Sequence, residues 1–97
     1  MHELTQLLDL PDSDYWYDDG SVRARAIIDE NPQEVLQRLS VEWPNLNTNQ
    51  QEHLAYILDG EPGSVEHEIL MQLSNSKHED VAWRAREALS HYPQARS

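Results

Sequence analysis

Apolar side chains recur along the chain at intervals of three or four residues, the spacing of one face of an α-helix. In segment 81–92 the small and apolar residues fall on one side of a helical wheel; they are Val81, Ala82, Ala85, Ala88, Leu89 and Tyr92. The two runs that could form strands, VEW and AYIL, lie inside segments with helical spacing. The pattern therefore predicts an all-α protein.

Residues that begin and end helices divide the chain into short segments. Asn31-Pro32 combines an N-cap residue type with a proline suited to the first helical turn. Trp43-Pro44 ends the same helix, because the residue before a proline avoids the helical conformation. Gly60 is suited to ending another. We predict five to six helices.

Two sets of apolar segments repeat at intervals of about thirty residues. One set is VRARAII at 22–28, EHLAYIL at 52–58 and WRAREAL at 83–89; the other, which precedes it each time, is LTQLL at 4–8, VLQRL at 35–39 and ILMQL at 69–73. Alternation of the two sets predicts three helical hairpins. The predicted core is Ala24, Ile28, Leu36, Leu39, Leu54, Ile57, Leu58, Ile69, Leu70, Leu73, Ala85 and Leu89, with Trp43 added beneath a turn.

The strongest match to a known repeat lies in LDGEPGSVEHEILMQLSNSKHEDVAWRAREALSHY. It has a glycine that ends one helix, the apolar face ILMQL, a polar turn and the second helix VAWRAREAL. Over residues 56–92 the chain resembles a HEAT-type repeat of the short kind found in phycobilin-lyase-like proteins. The resemblance implies a short α-solenoid of about three stacked hairpins that offers a binding surface rather than any one activity.

We expect residues 1–97 to form a single HEAT-like helical domain. Within it, residues 11–19 are predicted to be a loop joining the helices of the first hairpin. Residues 93–97 are predicted to be a flexible C-terminal tail.

The charge balance points to a class of partner. Eighteen Asp and Glu against seven Lys and Arg give a formal net charge of −11, and the first nineteen residues hold six acids and no base. A field of this sign disfavours nucleic acid and anionic membranes and favours a basic protein. Acidity that serves only solubility is the alternative. With no cysteine and no long apolar run, we expect a cytoplasmic protein without a membrane span.

Catalytic motifs are lacking, since the sequence has no cysteine, no glycine-flanked serine and no phosphate-binding glycine loop. Three His-Glu dipeptides, at residues 2–3, 67–68 and 78–79, resemble the repeated pairs that bind a di-iron centre in the HEAT-like deoxyhypusine hydroxylases. Here they occupy different positions within the repeat, and a symmetric site needs equivalent ones. We therefore predict no catalytic residue, no metal and no cofactor; a metal-dependent enzyme that uses these pairs is the weaker alternative.

The segment DSDYWYDDG, residues 12–20, sets three aromatic residues among aspartates. Three consecutive rings cannot all face one core from a loop, so we expect Trp16 or Tyr17 to pack and Tyr15 to point outward with the aspartates. Exposed rings with a rim of carboxylates are typical of an interface for a basic protein. The alternative is that the rings cover the open end of the stack.

A second candidate lies on the last helix. Trp83 points away from the apolar face, and Arg84 and Arg86 flank that face. The alternative reading is that the arginines pair with nearby acids or cap turns, and that a neighbouring helix covers the tryptophan.

The sequence thus predicts a non-enzymatic, acidic module that binds a basic protein. One version is an immunity protein or antitoxin that covers the basic active site of a toxin; an adaptor and a self-associating structural subunit are the alternatives. The predicted partner-binding residues are Asp12, Asp14, Tyr15, Trp16, Asp18, Asp19, Trp83 and Arg84.

Overall fold

The structure, a computed structural model, describes residues 2–91, and this part of the chain contains helices and no strand. The helices are α1 (His2–Leu8), α2 (Ser21–Glu30), α3 (Pro32–Glu42), α4 (Thr48–Ile57), α5 (Val65–Leu73) and α6 (Glu79–Ser90). A π-helical turn (Trp16–Gly20) precedes α2, and a 3₁₀ turn (Trp43–Asn45) follows α3. The all-α prediction is confirmed, but Gly60 does not end a helix: α4 stops at Ile57, with Leu58 as its C-cap. A Cβ atom at Gly60 would lie 2.9 Å from the carbonyl oxygen of Ala88, so this glycine permits close packing on α6. Tyr92 and the predicted tail at 93–97 lie outside the described residues.

The starts of α4 and α5 are fixed by side-chain caps. The Asn47 side chain accepts a hydrogen bond from the Gln50 backbone N–H at 2.7 Å, and Gln50 Oε1 accepts one from the Asn47 N–H at 2.9 Å. At α5, Ser64 Oγ accepts a hydrogen bond from the His67 N–H at 3.0 Å. These bonds satisfy N–H groups that have no partner inside a helix.

Helix α4 lies at the centre of the packing. It contacts α1, α2 and α6 and, less closely, α5; α5 also packs against α6 and α3, and α2 against α1 and α3. Thus α1–α2 and α5–α6 pack as hairpins, whereas the consecutive helices α3 and α4 make few contacts with each other. A regular stack of three hairpins is therefore not confirmed.

The buried residues agree closely with the core that the apolar periodicity predicts. All but one of the twelve predicted core residues are buried; the exception, Ile57, is half-buried at the edge. Trp43 is half-buried as well, and its indole N–H donates to Gln72 Oε1 at 2.7 Å. The core also includes residues that the predicted set lacks: Leu4, Leu8, Trp16, Val35, Ala55 and Val81.

The prediction of a loop at residues 11–19 is wrong from Asp14 onward. Asp14 and Tyr15 are helical, and the chain continues through the π-helical turn into α2 without a break. The π character shows in the Ser21 N–H, which donates to the carbonyl oxygen of Trp16, five residues earlier. The sequence pattern did not predict this helix, because the acidic segment has no helical spacing of apolar residues.

Leu70 tests the assignment of the buried face of α5. Its side chain is fully buried, whereas that of the next residue, Met71, is 46% exposed. We expect Leu70→Ala to lower the free energy of unfolding by about 2–5 kcal/mol, because it leaves a cavity in the core. Met71→Ala should change it by less than about 0.5 kcal/mol. Urea denaturation of both variants measures the difference; equal losses would mean that the face is assigned wrongly.

Candidate functional site

Trp16 turns inward from the acidic segment and packs in the core. Its side chain is fully buried and its ring stacks on His53 of α4, with ring centroids 4.1 Å apart and an interplanar angle of 15°. Nδ1 of His53 lies 2.8 Å from the carbonyl oxygen of Leu8. A carbonyl oxygen only accepts, so Nδ1 carries the proton in this bond. Through this stack the acidic segment is held against α4 and the end of α1.

The prediction that Trp16 contacts a partner is therefore corrected. A fully buried ring cannot reach another protein while the domain stays folded. Among the described residues, the indole Nε1 of Trp16 and Nε2 of His53 have no hydrogen-bond partner. Ring packing, rather than hydrogen bonding of the indole, holds the tryptophan in place.

Gly20 makes room for this ring. A Cβ atom at Gly20 would lie 2.9 Å from Cε3 of Trp16 and 2.8 Å from Cδ1 of Leu10. Both distances are shorter than a normal carbon–carbon contact. A residue without a side chain at the end of the π-helical turn is thus what allows the indole to pack against the backbone.

Burial of Trp16 directs its neighbours outward, as the sequence analysis expected. Tyr15 is 53% exposed, and the carboxylates of Asp12, Asp14 and Asp18 are exposed beside it. Asp19 is partly exposed and pairs with Arg23 at 3.3 Å. We call the five residues Asp12, Asp14, Tyr15, Asp18 and Asp19 the acidic–aromatic surface.

Tyr17 connects this surface to the last helix. Its hydroxyl donates to Asp12 Oδ1 at 2.5 Å and accepts a hydrogen bond from Arg84 Nη2 at 2.7 Å. Burial of the ring is the largest cause that raises the pKa of Tyr17 above its usual 10.0, and the bond to Asp12 adds to it; the charge of Arg84 acts in the opposite direction. The structure thus joins two regions that the sequence analysis treated separately.

Arg84 lies among three aromatic rings. Its Cζ atom is 5.7 Å from the ring centroid of Tyr17, 5.5 Å from that of Tyr56 and 5.8 Å from that of Trp83. The rings of Tyr17 and Tyr56 meet edge to face at 5.0 Å. All three distances to the guanidinium are within the range of cation–π attraction. We call Tyr17, Tyr56, Trp83 and Arg84 the aromatic–arginine cluster.

No local signal in the sequence identifies Tyr56 as part of this cluster. Tyr56 lies on α4 next to the buried residue Ala55, with its own side chain 43% exposed. Only the packing of α4 against α6 and the π-helical turn brings it to Tyr17 and Arg84. Its role is therefore a property of the tertiary structure.

Trp83 remains exposed, and within residues 2–91 the neighbouring Arg84 and Arg86 form no ion pair with an acid. The Trp83 side chain is 57% exposed on the outer side of α6. Arg86 donates to the backbone carbonyl of Ser74 at 3.0 Å, which caps the turn before α6. Among residues 2–91, no carboxylate oxygen lies within 4.0 Å of either arginine, so the alternative of pairing with neighbouring acids does not hold.

A partly buried ion pair joins three of the helices. Arg25 binds the carboxylate of Glu66 through two hydrogen bonds of 2.6 and 2.9 Å, and also donates to the carbonyl oxygen of Ile57 at 3.0 Å. Glu66 in turn accepts the N–H of Asp59 at 2.7 Å. The bond to Glu66 is the main cause that raises the pKa of Arg25. The pair ties α2, the end of α4 and α5 together.

The histidines of the His-Glu dipeptides do not come together as a metal site in the described part of the chain. No group of three or more His, Asp or Glu side chains there is arranged to hold a metal ion. His67 instead lies with Nδ1 3.1 Å from the carbonyl oxygen of Gly60.

None of the helices within residues 2–91 is both long enough and apolar enough to cross a membrane.

Comparison with known proteins gives no relative: no protein-family model, curated protein or solved structure matches the chain.

The raised pKa of Tyr17 predicts a loss of stability in alkali. The folded protein holds the phenolic proton more tightly than the unfolded chain does. The stabilisation that results is complete below about pH 10 and is lost as the pH rises through the folded-state pKa. We expect the free energy of unfolding of Tyr17→Phe to fall less between pH 9 and 11 than that of the parent, in urea denaturation series. Tyr15→Phe, an exposed control, should keep the slope of the parent. A parent-like slope for Tyr17→Phe would contradict the assignment.

Proposed function

We propose that this chain is a non-enzymatic protein-binding module whose acidic–aromatic surface recognises a basic protein. The observation that carries the proposal is the placement of Tyr15. Its ring is 53% exposed among outward carboxylates, while the adjacent Trp16 is fully buried and fixes the segment. The surface therefore combines an accessible ring with a rigid support.

The arrangement has the composition of a recognition surface. Protein interfaces are enriched in tyrosine and tryptophan, with charged groups at the rim, and the aromatic residues supply much of the binding energy. Because helical backbone and the Trp16 stack already hold Tyr15, little conformational entropy remains to be lost on binding. A loop with the same residues would bind more weakly.

Electrostatics favour a basic partner. The net charge of −11 and the absence of any base in the first nineteen residues produce a negative field on the side of the acidic–aromatic surface. Such a field speeds the encounter with a positively charged protein and repels nucleic acid. Trp83 supplies a second exposed ring, linked to this surface through the bond between Tyr17 and Arg84.

The form that we favour is an immunity protein or antitoxin of the cytoplasm that covers the basic active site of a toxin. Its support is the combination of strong acidity and an exposed aromatic anchor. An adaptor for a basic segment is the second form. We also propose that the chain is related to short HEAT repeats. Stacked hairpins would make contacts between α2 and α4, between α4 and α6 and between α3 and α5, and all three contacts are present.

The first test neutralises the surface charges. The double variant Asp14→Asn, Asp18→Asn should capture less of a basic protein from cell lysate than the parent, in quantitative mass spectrometry. With that protein purified, the variant should associate about tenfold more slowly at low salt and show a weaker salt dependence, because steering by the local field is lost.

A matched double variant separates position from net charge. Glu34→Gln, Glu68→Gln removes the same two charges from exposed sites on α3 and α5. It should associate almost as fast as the parent. Equal slowing by both pairs would show that overall acidity, and not the acidic–aromatic surface, drives association.

The second test removes the ring. Tyr15→Ala should raise the dissociation rate from the captured protein by a factor that corresponds to about 2 kcal/mol or more, because it removes an interface anchor. Its thermal stability should stay close to that of the parent, since the ring is exposed. Val41→Ala, 72% exposed on α3, is the control for loss of exposed apolar surface. If Tyr15→Ala lowers the melting temperature and leaves dissociation unchanged, the ring is structural.

A further inference from the structure

A groove runs between the end of α4 and the second half of α6. It has a volume of about 410 Å³, and Tyr56, Ile57, Leu58, Arg84, Glu87 and Ala88 are among the residues that line it. A volume of this size is within the range of small-molecule sites. The walls are mixed: Tyr56, Ile57, Leu58 and Ala88 supply apolar surface, whereas Arg84, Asp59 and Glu87 are charged.

Arg84 lines this groove and can pair with an anionic ligand. It is half-buried and gives a hydrogen bond to Tyr17, and within the described chain no carboxylate lies within 4.0 Å of it. Arg25 also lines the groove, but its guanidinium is bound to Glu66 and Asp29. A half-buried guanidinium beside aromatic rings attracts an anion more strongly than one in bulk water does.

The chemistry of the walls selects one kind of anion. The planar guanidinium of arginine can donate two parallel hydrogen bonds to the two oxygens of a carboxylate. Asp59 and Glu87 line the same groove and oppose negative charge, as does the net charge of −11. A monoanion meets less of this repulsion than a doubly charged phosphate group does. The apolar walls and Tyr56 suit an apolar body attached to the carboxylate.

We infer that the groove between α4 and α6 binds a small monocarboxylic acid with an aromatic or branched apolar body, and that Arg84 pairs with its carboxylate. This site is separate from the acidic–aromatic surface. Its ligand is a small molecule rather than a basic protein, so either proposal can fail without the other.

The experiment is a titration of the ¹⁵N-labelled protein with 3-phenylpropionate, followed by the amide resonances of Leu58 and Gly60, which line the groove. We expect saturable shifts at ligand concentrations up to about 10 mM, the weak end of the affinity scale. The neutral analogue 3-phenylpropanamide and the doubly charged phenyl phosphate should bind at least about tenfold more weakly, because the first lacks the charge and the second meets the repulsion of Glu87.

Four variants test the role of Arg84. Arg84→Gln should raise the Kd for 3-phenylpropionate by about tenfold, the loss expected for a charge-assisted hydrogen bond. Arg84→Lys keeps the charge but cannot donate two parallel hydrogen bonds to a carboxylate. Its Kd should lie between that of Arg84→Gln and that of the parent. Arg86→Gln removes a guanidinium of the same helix that does not line the groove, and should leave the Kd unchanged. Glu87→Gln should lower the Kd, because it removes a repelling charge.

Several outcomes overturn the inference. Absence of saturable shifts would do so, as would equal binding of the amide, which would indicate an apolar groove without anion recognition. An equal loss of affinity in Arg86→Gln would assign the effect to net charge. If thermal melts show that Arg84→Gln is unfolded, Arg84→Lys and Glu87→Gln decide the question, and a parent-like Kd in both rejects it.

Discussion

The packing of Trp16 against His53 is the constraint on which the rest of this structure depends. The ring comes from the most acidic segment of the chain and is nevertheless fully buried. Its burial needs a π-helical turn, which changes the direction of the side chains, and a glycine at the end of that turn, against which the ring packs. Once the tryptophan is inside, Tyr15 faces solvent and Tyr17 faces α6. One apolar contact thus determines how three consecutive aromatic residues are used.

The polar interactions extend this constraint across the domain. The Arg25–Glu66 pair joins α2 to α5, and the bond from Arg84 to Tyr17 joins α6 to the π-helical turn. In both, an arginine uses its hydrogen-bonding groups to connect helices that are distant in sequence. The difference lies in the partner: Glu66 neutralises Arg25, whereas the rings around Arg84 leave its charge available. That difference separates a structural ion pair from a candidate ligand site.

The two proposed sites have opposite chemistry, and residues of the aromatic–arginine cluster belong to the surroundings of both. The acidic–aromatic surface offers carboxylates and an exposed ring to a basic protein. The groove offers one guanidinium and apolar walls to a small acid. Tyr17 and Arg84 contribute to the support of the first site, and Arg84 also lines the second.

The sequence by itself determined the helical class, both limits of α3 and the burial of eleven of the twelve predicted core residues, because apolar periodicity and helix-ending residues act over a few positions. It also determined that at least one ring of the acidic segment would be exposed, since adjacent side chains diverge. Only the tertiary structure decided that Trp16 is the buried ring, that residues from Asp14 onward are helical, and that Tyr56 and Arg84 meet Tyr17. These facts depend on contacts between segments distant along the chain, which no local pattern of residues specifies.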